Sequence, residues 1–150
     1  MHSIAELFNN QVLWCAVAAW FIAQALKIPT YWIIEKELNW KRFFGSGGMP
    51  SSHTSFVTAL TIMVGATEGF GTAIFAVSFT LAAIVMYDAT GVRRETGTQG
   101  QVINQILRSV FIDGKPISED NLKEMVGHKP IEVMAGLILG IITAVCFLAF

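Results

Sequence analysis

The chain has 150 residues, of which 53% are hydrophobic and 14% charged, with a formal net charge of −1. Soluble domains hold roughly 25% charged residues, so this composition excludes an ordinary soluble domain. One domain, residues 1–150, is expected at this length.

Four segments are long and apolar enough to consider as membrane spans: residues 12–34, 52–66, 72–87 and 133–150. The first and last approach spanning length alone; the middle two need polar flanking residues to cross. Segments 72–87 and 133–150 contain no charged residue on any face, which argues against a soluble all-α protein with buried core helices. The expected fold is therefore an all-α integral membrane helical bundle of about four transmembrane helices. A long cytoplasmic loop carrying short amphipathic helices joins the third and fourth.

All ten Lys and Arg residues lie at two of the connections. Lys27, Lys36, Lys41 and Arg42 flank or occupy the first, and Arg93, Arg94, Arg108, Lys115, Lys123 and Lys129 the third. Four hairpin-connected spans put these two connections on one side. The positive-inside rule makes that side cytoplasmic, with both termini outside, in a bacterial inner membrane or organelle equivalent. The N-terminus lacks a basic region and a cleavage site, so it reads as mature protein. Cys15 and Cys146 fall inside spans and read as small packing residues rather than a disulfide or metal site.

The third connection has internal pattern. Val102, Ile103, Ile106, Leu107, Val110 and Phe111 recur at helical spacing, so about residues 98–112 should form an amphipathic helix, at the membrane surface or packed over the loops. Asp113-Gly114-Lys115-Pro116 is a turn. Ser118 then caps a short helix with Glu119 and Asp120 in its first turn and Gly127 as its stop. Pro130 suits the first turn of the last span.

The stretch Gly47-Gly48-Met49-Pro50-Ser51-Ser52-His53 carries the most chemistry. Glycines allow a close backbone approach, a serine supplies an N-cap, and a helix start offers unpaired N–H groups and positive dipole to an anion. Of three histidines, His2 is terminal and reads as inert. His53 and His128 each stand at the cytoplasmic start of a span, at the same depth, where two imidazoles can share a site. Glu132 lies four residues after His128, on the same helix face, and can either orient that imidazole or simply complement the helix dipole. Arg93 or Arg94 can clamp a phosphate, and one of them is the expected partner of Asp88 at the end of the third span. Lys27 either snorkels to the interface or reaches inward to a phosphate.

Pro50-Ser51-Ser52-His53 resembles the Pro-Ser-Gly-His motif of the type-2 phosphatidic acid phosphatase and vanadium haloperoxidase superfamily. The longer strings resemble its divergent branch: the stretch 47–53, Tyr87-Asp88-Ala89 running into Gly91-Val92-Arg93-Arg94, and Gly127-His128 with Pro130 and Glu132. The resemblance covers nearly the whole chain in the right order. It implies that His128 attacks phosphorus to form a phosphohistidine and that Glu132, standing where the family has aspartate, orients it. His53 would protonate the leaving alcohol. Ser51, Ser52 and Gly48 would cradle the phosphoryl oxygens, with cations drawn from Lys27, Arg42, Arg93, Arg94 and Lys123. No metal and no cofactor is implied. Lys36 and Arg42 stand one residue too close for the family's first motif, and Phe43 replaces its proline. Asn121 and Leu122 replace the Ser-Arg that precedes the third-motif histidine.

The expected function is hydrolysis of a lipid phosphate or prenyl (di)phosphate at the cytoplasmic face. The alternatives are a non-catalytic lipid-phosphate binder or transporter, and a structural membrane subunit, on the same scaffold. The expected partners are the lipid substrate and the bilayer, with a homodimer plausible for so small a bundle and no nucleic acid.

Overall fold

The computed structural model describes residues 4–43, 47–110 and 129–149. The turn at 113–116, the short helix from Ser118, Lys123 and His128 lie outside the described residues, as do the side chains of Arg42, Arg93 and Arg94. The described elements are a short α1 (Ile4–Phe8), α2 (Gln11–Glu35), a 3-10 turn at Trp40–Phe43, α3 (Ser52–Glu68), α4 (Ala73–Thr90), α5 (Val92–Val110) and α6 (Pro130–Ala149).

Each long helix starts where its sequence provides a cap. The Asn10 side chain accepts from Leu13 N at 3.0 Å, Ser51 Oγ from Thr54 N at 3.4 Å and Thr72 Oγ1 from Phe75 N at 3.3 Å. These bonds satisfy N–H groups that have no partner within the helix. Lys36, in the left-handed region at φ 60°, ends α2 by donating its N–H to the Trp32 carbonyl. Gly69 at φ 96° ends α3, and the Phe70 ring folds back over Gly65, where a Cβ would sit 2.4 Å from it.

α3 is the centre of the bundle, packed against α2, α4 and α6. Lys27 meets Ser52 at one end, while Cys15 and Ala19 meet Ala59 and Met63 at the other, so α2 and α3 run antiparallel. Thr61 Oγ1 donates to the Ser78 carbonyl of the antiparallel α4 at 3.1 Å. α6 runs parallel to α3, because Glu132 pairs with Ser51, Gly136 lies over Ser51 and Thr54, and Gly140 over Ser55 and Thr58. A Cβ on Gly136 would stand 2.5 Å from the Ser51 carbonyl oxygen, and one on Gly140 2.7 Å from that of Ser55. Gly136 and Gly140 thus form a Gly-x-x-x-Gly contact of the kind that lets membrane helices approach closely.

The interior is small and polar while the exterior is large and apolar. Cys15, Ala19, Ala59, Met63 and Ala144 form the buried cluster, and Thr54, Ser55, Thr58 and Thr61 are buried beside it. Phe21, Ile33, Phe79, Ile84, Ile138 and Val145 are exposed. This inversion is what a lipid solvent selects, since close packing and interhelical hydrogen bonds hold helices together there.

The all-α membrane bundle expected from sequence is therefore the fold. Among the described residues, three stretches are long and apolar enough to cross a membrane: Gln11–Glu35, Ala73–Ile103 and Pro130–Ala149. The expected second span is α3, whose 17 residues reach about 25 Å against a hydrocarbon core of about 30 Å. Its Ser52, Thr54, Ser55, Thr58 and Thr61 are buried among the three helices around it. The amphipathic helix expected from about residue 98 starts at Val92 instead, with only Gly91 between it and α4.

Candidate functional site

Parallel α3 and α6 bring two helix starts together at one end of the bundle. Ser51 N donates to the Glu132 carbonyl at 3.0 Å, which joins them directly. Ser55 Oγ lies 3.0 Å from both the Ser51 and the Gly136 carbonyls, one turn deeper. Thr54 Oγ1 donates to Ser51 Oγ at 3.0 Å. Ser51, Ser52, Thr54 and Ser55 are all buried, so this seam of hydroxyls is fixed by packing as well as by bonds.

α2 supplies the cation. Lys27 lies about 12 Å inside the C-terminal end of α2, yet its side chain is only 3% exposed. Its ammonium donates to Ser52 Oγ at 3.4 Å, and the Glu132 carboxylate is close enough to act on it electrostatically. The sequence left snorkelling and inward reach as equals for this residue; the structure places it inward, on the first residue of α3. A buried ammonium in a membrane bundle costs several kcal/mol unless partners compensate, and here Ser52 and Glu132 stand beside it.

The loop before α3 completes the floor. Gly47 and Gly48 have φ of 91° and 87°, in the left-handed region that glycine adopts without strain. Gly48 passes over the Lys27 stem, with its would-be Cβ 3.9 Å from Lys27 Cγ. The Thr30 hydroxyl, one helical turn beyond Lys27, bonds the Met49 carbonyl and ties this loop to α2. The Met49–Pro50 peptide is cis.

Lys27, Gly48, Ser51, Ser52 and Glu132 are thus brought together. His53 occupies the first turn of α3 immediately beside them and is exposed at this end of the bundle. Asp88 closes α4 at the same end and is partly buried. Glu132 Oε2 accepts from Lys129 N at 3.2 Å, so its carboxylate caps its own helix, the dipole-complementing role. Sequence reasoning passed over Thr54 and Thr30. The recurrence of Ser and Thr at 51, 52, 54, 55, 58 and 61 was the signal for the first, while Thr30 shows its role only through the fold. Among the described residues, no group of three or more His, Cys, Asp or Glu side chains is placed to hold a metal ion.

These features define a polytopic α-helical membrane protein with a polar, cation-bearing cradle at paired helix starts. The chain belongs to the divergent PAP2 family, whose model matches residues 8–143. It is 40% identical over 147 residues to the uncharacterised membrane protein YuiD of Bacillus subtilis strain 168, covering 91% of this chain and 93% of that relative. No solved structure matches it.

Proposed function

We propose that this protein is a metal-independent membrane phosphatase that hydrolyses a lipid phosphate or prenyl (di)phosphate at the cytoplasmic face. The observation that carries the reading is the Lys27 ammonium, held inside the bundle on Ser52 at the start of α3. A cation, a glycine loop, hydroxyls and a helix N-terminus in one place are what a phosphoryl group requires, because its charge lies on peripheral oxygens. Membership of the divergent PAP2 family supports phosphoryl chemistry for this chain. The lipid chain remains in the bilayer while the headgroup enters the cradle between the starts of α3 and α6.

In this reading a ring nitrogen of His128 attacks phosphorus as the P–O bond to the alcohol breaks. His53 gives its proton to the leaving oxygen. Water then gives a proton to His53 and attacks phosphorus, the P–N bond breaks, and phosphate leaves with His53 again protonated. Lys27, Ser51 and Ser52 hold the phosphoryl oxygens throughout, with Arg42, Arg93, Arg94 and Lys123 as further candidate cations. A second reading, lipid-phosphate binding without turnover, is favoured by Glu132, whose carboxylate is engaged in capping Lys129.

Purified protein assayed for phosphate release from phosphatidate, phosphatidylglycerol phosphate and prenyl diphosphates separates the two. Turnover that disappears in His128→Ala and His53→Ala is the expected result. Saturable binding of these lipids with no release favours the binder, and full activity in His128→Ala refutes the proposed chemistry.

A further inference from the structure

The amphipathic segment has two candidate homes by sequence, the membrane surface and the loops, and the structure favours the first. α5 begins one residue after α4 ends. α4 is a lipid-facing helix, with Val77, Phe79, Leu81 and Ile84 exposed on it. The antiparallel pairing of α3 and α4 puts the end of α4 at the same end of the bundle as Ser51 and Lys27. α5 therefore starts at the level where the apolar exterior gives way to the polar end.

Among the described elements α5 touches only α4. Val92, Val102 and Ile103 are left 59%, 49% and 45% exposed. At 100° per residue, Val92, Val102 and Ile103 fall within about 100° of one another on one stripe of the helix, which Thr96 and Gln99 share. In sequence register Arg93 and Arg94 fall away from that stripe, while Glu95, the single acidic residue between Val92 and Val110, falls at its edge beside Val102. A helix with one apolar stripe, basic residues off it and a membrane-level starting point has the properties of an interfacial helix.

We propose that α5 is a membrane-surface helix that binds anionic lipid. Its Val92–Ile103 stripe seats in the headgroup–acyl boundary, and its arginines reach lipid phosphates. The occupant is the bilayer rather than a second copy of the chain, because α5 starts directly at the end of the lipid-facing α4 and carries a positive excess that matches anionic headgroups. The third connection is thereby held against the membrane on the side of the Lys27 cradle. This placement is independent of whether the cradle turns over substrate.

The test reads position rather than activity. Single nitroxide labels are placed at Ile103→Cys and Gln101→Cys in a Cys146→Ser background, Cys15 being fully buried. Full-length protein is reconstituted in phosphatidylglycerol–phosphatidylcholine nanodiscs. Residue 103 is expected to collide several-fold more with lipid-soluble oxygen than with an aqueous nickel chelate, and residue 101 to show the reverse. A label at Val92→Cys repeats the apolar-side measurement should Ile103→Cys fail to fold. Equal aqueous access at 101 and 103 overturns the proposal, as does a 103 label shielded from both quenchers, which would mean that protein covers the stripe.

Discussion

Gly136→Ala tests the α3–α6 seam and, through it, the geometry of the cradle. The added Cβ would stand 2.5 Å from the Ser51 carbonyl oxygen and 3.0 Å from Thr54 Cβ. The nearest obstacle is backbone, so no side chain can swing aside. Ordinary contact begins at 3.4 Å, so the helices must part by about 0.9 Å. Overpacking of this kind costs about 1–3 kcal/mol. The same shift stretches the 3.0 Å bonds Ser55 Oγ–Gly136 O and Ser51 N–Glu132 O beyond hydrogen-bonding range, at about 1 kcal/mol each. The expected total is about 3–5 kcal/mol. It is read as a lower midpoint in thermal unfolding of detergent-purified protein, followed by the monodisperse fraction that survives heating. Gly71→Ala, whose added Cβ meets nothing within 4 Å, is the matched control and should leave the midpoint unchanged. Ser51 also lines the cradle, so vanadate binding should weaken in Gly136→Ala and not in the control. A Gly136→Ala protein as stable as the wild type would refute the close approach on which the site is built.

Three further outcomes are expected. Lys27→Met should weaken vanadate or phosphate binding roughly 10- to 100-fold, the equivalent of a charge-assisted hydrogen bond of about 1.5–3 kcal/mol, while stability holds or rises because a buried ammonium has been replaced by an apolar side chain of similar length; unchanged binding in titration calorimetry would remove Lys27 from the cradle. Thr58→Val should raise stability by about 1 kcal/mol, since Thr58 Oγ1 is buried without a hydrogen-bond partner and valine keeps its shape; a lower unfolding midpoint would contradict that. Glu132→Gln retains an acceptor for Lys129 N and should stay within about 0.5 kcal/mol of wild type, whereas Glu132→Ala should lose about 1 kcal/mol. If the carboxylate also orients His128, both variants should lose phosphatase turnover alike, and turnover that follows stability alone would restrict Glu132 to its cap.

The sequence by itself determined the solvent and the fold class, and it marked one helix start as a candidate site. Two charge-free apolar segments require lipid, and lipid requires helices, because a backbone without water must satisfy its own hydrogen bonds. The cap at Ser51, the glycines at 47 and 48 and the histidine after two serines mark an anion-ready helix start through local chemistry alone. Tertiary structure decided the rest. Whether Lys27 points outward or inward depends on what lies opposite it on another helix, and Ser52 lies 25 residues away in the chain. The role of α3 followed the same logic: hydropathy ranks it as a weak span, and only the enclosure of its hydroxyls by α2, α4 and α6 makes a short polar helix stable at the centre of a membrane bundle. Gly136 and Gly140 were legible as small residues in an apolar run, but the partner they were small for could be seen only once α6 lay parallel to α3. That parallel seam sets Glu132 beside Ser51, and so brings two separate helix starts together in one candidate site.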